Sequence, residues 1–176
     1  MATDHGAHRH QHDQAHTADR EHPLAAKVLT VSDGVIAGTR EDRSGEALAA
    51  ALTAAGYEVV ERRVVADGVD TVSEALAEMS AGFEGLIVST GGTGFTERDL
   101  TPEGTRAVIE REAPGLAEAM RLANPLGRLS RGVAGIIGRA IVLNTPGSTK
   151  GCVECFEAVA DVLPHALALL AGERLH

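Results

Sequence analysis

The chain has 176 residues, of which 25 are acidic and 16 are Lys or Arg, and its formal net charge at pH 7 is -9. This length suits one domain, and an acidic chain with three Phe, one Tyr and no Trp lacks the clustered cations and stacking rings that nucleic acid requires. Two cysteines are too few for a secreted disulfide framework, and without an apolar signal region or a membrane-length apolar run the expected location is the cytoplasm, with no membrane contact.

Six of the eight histidines lie in the first 23 residues, which contain almost no apolar bulk. Such a segment cannot bury enough surface to offset the entropy lost on ordering. We therefore predict a disordered His-rich tail over residues 1–23 and one folded domain over residues 24–176. A simple solvated extension and weak binding of zinc or nickel by the imidazoles are the two alternatives for the tail.

Strand-like and helix-like segments alternate after the tail. The expected elements, in chain order, are a strand over 27–32, a helix over about 44–55, a strand over 57–65, a helix over about 70–81, a strand over 85–89, two helices over 102–112 and 114–123, a hairpin of strands 132–137 and 139–143, and a helix over 151–171. Ser44 is the expected cap of the first helix, Asp70 or Thr71 opens the second, and Pro164 kinks or divides the last. This alternation predicts an α/β fold with three layers, in which a mostly parallel sheet has helices on both faces.

Polar residues follow the predicted strands at the points where each strand ends. In an open α/β sheet, ligands bind beyond the carboxyl ends of the strands, at a switch in strand order. The residues concerned are Ser32 and Asp33, Asp67, and the segments 90–99 and 144–150. Because the strands are expected to be parallel, we predict that these residues meet at one edge of the sheet.

A glycine-rich loop follows the third predicted strand. It comprises Thr90, Gly91, Gly92, Thr93 and Gly94. Three glycines permit positive φ angles and a close approach of backbone N–H groups to a phosphate, and the two threonines add hydroxyl donors. Thr101 is expected to cap the next helix with Pro102 at its first position. The loop matches neither a Walker A motif nor the dinucleotide fingerprint, and a mobile glycine turn is the alternative to a phosphate cradle.

A second turn-rich segment precedes the last helix. It comprises Asn144, Thr145, Pro146, Gly147, Ser148 and Lys150. Its amides, hydroxyls and ammonium group suit another anionic part of a ligand. The alternative is an ordinary loop in which Ser148 or Thr149 caps the helix.

Asp67 and Asp99 follow neighbouring strands and are candidate catalytic residues. Two carboxylates that face a phosphate site repel the ligand unless a cation lies between them, and Mg²⁺ prefers such oxygen ligands. The alternatives are an exposed loop acid for Asp67 and an ion pair with the adjacent Arg98 for Asp99.

Cys152 and Cys155 have the C-x-x-C spacing of redox and zinc motifs. Residues three apart on a helix commonly share a buried face, and cysteines behave as small apolar residues in protein cores. We predict core packing for both thiols rather than redox or metal chemistry.

Residues 90–103, Thr-Gly-Gly-Thr-Gly-Phe-Thr-Glu-Arg-Asp-Leu-Thr-Pro-Glu, resemble the signature of the MogA/MoaB proteins of molybdenum cofactor biosynthesis. The segments 114–121, 130–135 and 144–151 are similar to further blocks of that family in the same order, so the resemblance covers about residues 27–172. It implies an α/β molybdopterin-binding domain of the MogA-like fold. It also implies a homo-oligomer, usually a trimer and in some MoaB proteins a hexamer.

The resemblance further implies that AMP is transferred from ATP to the terminal phosphate of molybdopterin, with release of pyrophosphate. The adenylylated product then passes to the partner protein that inserts molybdate. By position, Asp67 and Asp99 match the family's functional aspartates, and we expect them to hold Mg²⁺ on the nucleotide. The segments 90–94 and 144–150 match its two ligand loops, and Ser32 and Asp33 match a Ser-Asp pair after the first strand.

Two other functions are compatible with these residues. The first is a MoaB-type protein that binds molybdopterin without efficient adenylyl transfer. The second is a metal-responsive scaffold that uses the His-rich tail.

Overall fold

The computed structural model describes residues 24–172, so the prediction for the tail lies outside the described residues. The elements are β1 (Leu24–Val31), α1 (Asp33–Ile36), α2 (Arg43–Ala54), β2 (Tyr57–Val65), α3 (Val69–Ser80), β3 (Glu84–Thr90), α4 (Thr101–Arg106), β4 (Arg111–Glu112), α5 (Pro114–Leu122), a 3₁₀ helix (Pro125–Leu129), β5 (Ala134–Ile137), β6 (Arg139–Thr145), α6 (Thr149–Glu157) and α7 (Leu163–Leu170). Within this part of the chain, every helix is too short or too polar to reach across a bilayer.

Six strands form one sheet in the spatial order β2-β1-β3-β6-β5-β4. The first four are parallel, whereas β5 runs antiparallel to both β6 and β4. From β1 the chain moves outward to β2 and then returns to the other side of β1 to form β3, so the strand order reverses between β1 and β3. The predicted mostly parallel sheet and its hairpin are confirmed, and the reversal places a crevice at the carboxyl ends of these strands.

The sheet is covered on both faces because alternate side chains of its central strands point to opposite sides. On one face, Val28, Leu86 and Leu143 pack with α2, α5, α6 and α7. On the other, Leu29 and Ile87 pack with α3. The middle residues of β3 and β6, 86–88 and 141–143, are buried and apolar, as expected for parallel strands. The three-layer prediction is confirmed.

Three predictions about helix starts are wrong. Asp42, rather than Ser44, caps α2, because its carboxylate accepts a hydrogen bond from the Gly45 amide at 2.9 Å. The helix α3 already begins at Val69, one residue before the predicted start, and has no side-chain cap. Thr101 is the first residue of α4 rather than its cap, and among the described residues its buried hydroxyl oxygen has no hydrogen-bond partner.

The helix predicted over 102–112 ends at Arg106, and residues 111–112 form the edge strand β4. The neighbouring amides of Glu110 and Ala113 donate to the carbonyls of Ile136 and Ala134, at 2.8 Å each. Without this segment the outer edge of β5 would lose its backbone hydrogen-bond partners. The need to pair this edge outweighs the local preference of residues 107–112 for a helix. The predicted effect of Pro164 is confirmed: it lies in the first turn of α7, and the last helix is divided into α6 and α7.

Candidate functional site

A cavity of about 1260 Å³ opens at the carboxyl ends of β1, β3 and β6. Its lining comes from the loops after these strands, Asp67 after β2, the start of α2, the 3₁₀ helix and the start of α6. The predicted site residues that line it are Ser32, Asp67, Gly91, Gly92, Thr93, Gly94, Asp99, Pro146, Gly147, Ser148 and Lys150. The prediction that separate strand-end segments meet at one edge is therefore confirmed for these residues.

The glycine loop has the backbone conformation that its composition predicted. Gly91 and Gly92 have φ angles of 100° and 63°, a region that L side chains rarely adopt. A Cβ atom on Gly91 would lie 2.2 Å from the Val31 carbonyl oxygen, and one on Gly147 would lie 3.2 Å from the Gly91 Cα. The loops after β1, β3 and β6 thus approach one another closely through their backbones at the cavity.

Asp67 and Asp99 lie against this loop. A Cβ atom on Gly92 would be 2.9 Å from Asp67 Oδ1, and one on Gly94 would be 2.9 Å from Asp99 Oδ2. The Thr96 amide donates to Asp99 Oδ2 at 2.8 Å, which closes the turn that carries Asp99. Burial raises the pKa of Asp67, and the negative charges of Asp33 and Asp99 act in the same direction. These negative charges add to the cost of ionising Asp67, and a cation bound beside it would reduce that cost.

Asp33 lies beside the cavity rather than in its lining. Its carboxylate accepts hydrogen bonds from Arg98 at 2.8–3.0 Å, and this contact, followed by the Asp67 amide, holds the pKa of Asp33 below its usual value. Arg98 thus pairs with Asp33, not with Asp99. The predicted ligand contact of Asp33 and the alternative of an Arg98–Asp99 ion pair both disagree with this arrangement.

Three further predicted ligand residues are buried and use their side chains inside the protein. Thr90 donates to the Pro146 carbonyl at 2.9 Å, and Thr145 donates to the Ser89 carbonyl at 2.8 Å. Asn144 donates to two hydroxyl oxygens and accepts from the Val133 amide at 3.2 Å. The structure does not bring these side chains to the cavity; they join β3 to β6 below the two loops.

The hydrogen bonds of Asn144 predict a loss of stability in Asn144→Ala. Truncation leaves the buried Val133 amide without its acceptor, so the free energy of unfolding should fall by about 2–3 kcal/mol. Urea denaturation measures this change. An unchanged free energy of unfolding together with weakened ligand binding would instead indicate that Asn144 contacts the ligand.

Ser148 and Lys150 begin α6 at the cavity. Ser148 Oγ accepts from the Gly151 amide at 3.2 Å, which confirms the capping role given as one of two possibilities. Lys150 is 86% exposed and forms a 3.4 Å ion pair with Glu154. Exposed pairs of this kind are weak, so the ammonium group is available to an anionic ligand.

Two segments of the lining were not predicted from the sequence. The loop before α2 contributes Arg40 and the first residue of α2 is Arg43. The 3₁₀ helix contributes Leu126 and Leu129, whose side chains are unusually exposed for leucine. Asn124-Pro125 is a recognisable turn signal, and Asn124 does cap the 3₁₀ helix. Nothing in the local sequence, however, indicates that this turn faces the glycine loop.

Arg131 supports the glycine loop from outside the cavity. Its backbone amide donates to the Thr93 carbonyl at 2.9 Å, and its guanidinium donates to the carbonyls of Gly94 and Asp99 and pairs with Glu103. The carbonyl groups of the loop are thereby engaged on one side. The Gly91 amide donates to the Thr145 carbonyl at 3.1 Å, so the amides of residues 92–94 are the candidate donors to an anion.

The two cysteines are buried in the core on the α2 face of the sheet. Burial raises the pKa of both thiols, that of Cys155 to about 11. Within residues 24–172, no group of three His, Cys, Asp or Glu side chains is arranged to hold a metal ion. The predicted core role of the cysteines agrees with this placement.

Buried thiols with raised pKa values should react slowly. Because the thiolate is the reactive form, we expect a disulfide reagent at pH 8 to modify the native protein at less than about a tenth of the rate measured in 6 M guanidinium chloride. Absorbance of the released thiol follows both reactions. Equal rates in the native and denatured protein would contradict core packing.

Comparisons with known proteins agree with this geometry. A family model described as a probable molybdopterin binding domain matches residues 27–165. A molybdopterin adenylyltransferase of Helicobacter pylori strain J99 is 37% identical over 152 residues, which are 82% of this chain and 86% of that protein. The Escherichia coli K12 molybdopterin adenylyltransferase is 33% identical, with 85% and 86% covered. The crystal structure of the molybdopterin biosynthesis enzyme MoaB from Thermus thermophilus aligns with a TM-score of 0.80 and 43% identity, over 87% of this chain and 99% of that one.

Proposed function

The chain belongs to the MogA/MoaB family of molybdenum cofactor biosynthesis proteins, and on this premise we propose that it is a molybdopterin adenylyltransferase. It transfers AMP from ATP to the terminal phosphate of molybdopterin and releases pyrophosphate. The observation that carries this proposal is the convergence of the glycine loop, Asp67, Asp99 and the 146–150 segment on one cavity. The names of the adenylyltransferase relatives favour catalysis over binding alone.

The reaction is an in-line displacement. An oxygen of the molybdopterin phosphate attacks the α-phosphorus of ATP, the bond between that phosphorus and the oxygen bridging to the β-phosphorus breaks, and pyrophosphate leaves with the electron pair. Such a transfer depends mainly on positioning and charge neutralisation. The backbone N–H groups of residues 92–94 bind phosphate oxygens, and Lys150 and Arg43 balance the remaining negative charge. The exposed faces of Leu126 and Leu129 suit a planar heterocycle.

Mg²⁺ fits the donor set of Asp67 and Asp99. This ion is commonly bound by one or two carboxylates together with substrate phosphates, and among the described residues no third His, Cys, Asp or Glu side chain joins these two in a metal site. Bound there, it would neutralise phosphate charge. Asp67 and Asp99 would hold the ion against the nucleotide, since without a cation their charges would repel the phosphates.

One assay tests the proposal. Purified protein is incubated with molybdopterin, ATP and Mg²⁺, and mass spectrometry is used to detect the adenylylated product. We expect one pyrophosphate for each adduct, and no adduct with EDTA or with α,β-methylene-ATP, whose α–β bridge resists cleavage. Tight molybdopterin binding without an adduct would favour the binding protein that lacks transfer.

The raised pKa of Asp67 predicts how the Mg²⁺ requirement depends on pH. Burial shifts this pKa above the ordinary aspartate value of 3.8, and a protonated carboxyl group no longer binds a cation. As the pH falls through the raised pKa, the Mg²⁺ concentration for half-maximal transfer should therefore increase. Asp67→Asn should need more Mg²⁺ at every pH and should lack this acid limb, because an amide gains no proton. Persistence of the limb in that variant would contradict the assignment.

The proposal extends to assembly and to the next step of the pathway. The family resemblance supports a homo-oligomer, either a trimer or the hexamer of some MoaB proteins, and we place the protein in the cytoplasm. It also supports transfer of the product to the molybdate-insertion protein. Light scattering of the purified chain measures the number of subunits.

A further inference from the structure

Arg98 connects the three strand-end loops on the side of the cavity where Asp67 lies. Its Nε and Nη2 atoms donate to both carboxylate oxygens of Asp33, after β1, at 2.8–3.0 Å. The same Nη2 donates to the backbone carbonyl of Asp67, after β2, at 2.8 Å. Arg98 itself lies after β3, directly before Asp99. The Arg98 guanidinium therefore links the loop that carries Asp99 to the loop that carries Asp67.

Asp33 completes the connection by exchanging hydrogen bonds with Asp67. The Asp33 amide donates to Asp67 Oδ2 at 3.0 Å, and the Asp67 amide donates to Asp33 Oδ1 at 3.1 Å. Asp67 is thus held at its amide, its carbonyl and one carboxylate oxygen. Its other carboxylate oxygen, Oδ1, is the one that lies near Gly92 in the cavity lining.

Stability alone does not explain this arrangement. The side chains of Arg98 and Asp33 are 63% and 49% exposed, and exposed ion pairs contribute little to folding even when their geometry is good. The arrangement instead affects the charge beside the cavity and the direction of the Asp67 carboxylate. The guanidinium neutralises Asp33, so that of three neighbouring acids only Asp67 and Asp99 present net negative charge to a cation.

We propose that Arg98 is a positioning residue: through Asp33 it aims the Asp67 carboxylate into the cavity and sets its placement relative to Asp99, before magnesium and nucleotide arrive. This inference rests on the proposed adenylyl transfer and assigns Asp33 to the support of the site rather than to ligand contact. Groups that orient metal ligands in this way typically change metal affinity or activity by about 10–100-fold when they are removed.

Arg98→Gln tests this role, with Arg139→Gln as the matched control. Arg139 is also about half exposed, and it pairs with Glu84 and donates to the Ala171 carbonyl, but it lies at the opposite end of the sheet. We expect Arg98→Gln to raise the Mg²⁺ concentration for half-maximal transfer about tenfold and to weaken calorimetric binding of Mg²⁺–α,β-methylene-ATP by a similar factor. Molybdopterin affinity and the melting temperature should change no more than in Arg139→Gln.

Two more variants show whether Arg98 acts through Asp33. Arg98→Lys keeps the charge but loses the planar fork that binds both Asp33 oxygens, so it should recover only part of the Mg²⁺ affinity. Arg98→Gln combined with Asp33→Asn should lose no more than Arg98→Gln alone, because both changes break the same contact.

The possible failures are distinguishable. Wild-type Mg²⁺ dependence and nucleotide affinity in Arg98→Gln, with an active parent enzyme, would overturn this inference and leave the proposed function standing. Additive losses in the double variant would also overturn the route through Asp33. If the parent protein forms no adduct but binds Mg²⁺–α,β-methylene-ATP, the calorimetric comparison still decides the role of Arg98. A parent protein that neither forms the adduct nor binds nucleotide would overturn both proposals.

Discussion

Asp99→Asn should reduce adenylyl transfer by at least about a hundredfold and leave molybdopterin affinity within about twofold of the wild type. The amide oxygen of asparagine still accepts a hydrogen bond from the Thr96 amide, so the turn that carries residue 99 keeps its shape. What is lost is one negative charge beside the glycine loop, where Mg²⁺ and the nucleotide phosphates are proposed to lie. Initial rates of adduct formation and calorimetric titration with molybdopterin measure the two quantities separately.

Asp70→Asn is the matched control for this variant. Asp70 is an exposed acid in the first turn of α3 and does not belong to the cavity lining. Its replacement removes the same charge from the protein and should leave the transfer rate nearly unchanged. If Asp99→Asn turned over as fast as Asp70→Asn, the assignment of Asp99 to catalysis would be wrong.

Gly91→Ala should lower the free energy of unfolding by about 3 kcal/mol or more and abolish binding of both substrates. Two costs combine at this position. The φ angle of 100° is unfavourable for alanine, and the added Cβ would lie 2.2 Å from the Val31 carbonyl oxygen, a backbone atom that moves only if β1 moves. Urea denaturation at equilibrium measures the loss of stability.

Gly56→Ala separates these two costs. Gly56 also has a positive φ angle, 88°, but a Cβ atom there would meet no other atom within 4 Å. It should therefore show only the conformational cost, about 1 kcal/mol. Equal losses in the two variants would show that the close approach of the loops after β1 and β3 has no energetic consequence.

Local signals with a single physical cause were predicted correctly. The bounds of β2 are those predicted, since an amphipathic strand between two turns leaves little freedom. Pro164 divides the last helix because proline removes a backbone donor wherever it lies. Gly91 and Gly92 adopt positive φ angles, as their place in a tight loop suggested.

Predictions were wrong where several structures satisfy the same local pattern. The sequence of residues 107–112 is compatible with a helix or a strand. In the structure, residues 111–112 pair with the edge of β5 and form a strand. Asn144 follows the predicted strand 139–143, as ligand residues do, but it lies within β6 and its side chain bonds to β3 and α4. Arg98 has an acid directly beside it in the sequence, yet it pairs with Asp33, 65 residues away.

The amino-acid sequence by itself determined the α/β alternation and the conformation of the glycine loop, because spacing and backbone freedom are properties of a few neighbouring residues. Only the tertiary structure decided which side chains at the strand ends face the cavity and which support it. That choice depends on the register of β1, β3 and β6 and on the approach of the 3₁₀ helix, and these contacts join residues that lie far apart in the chain.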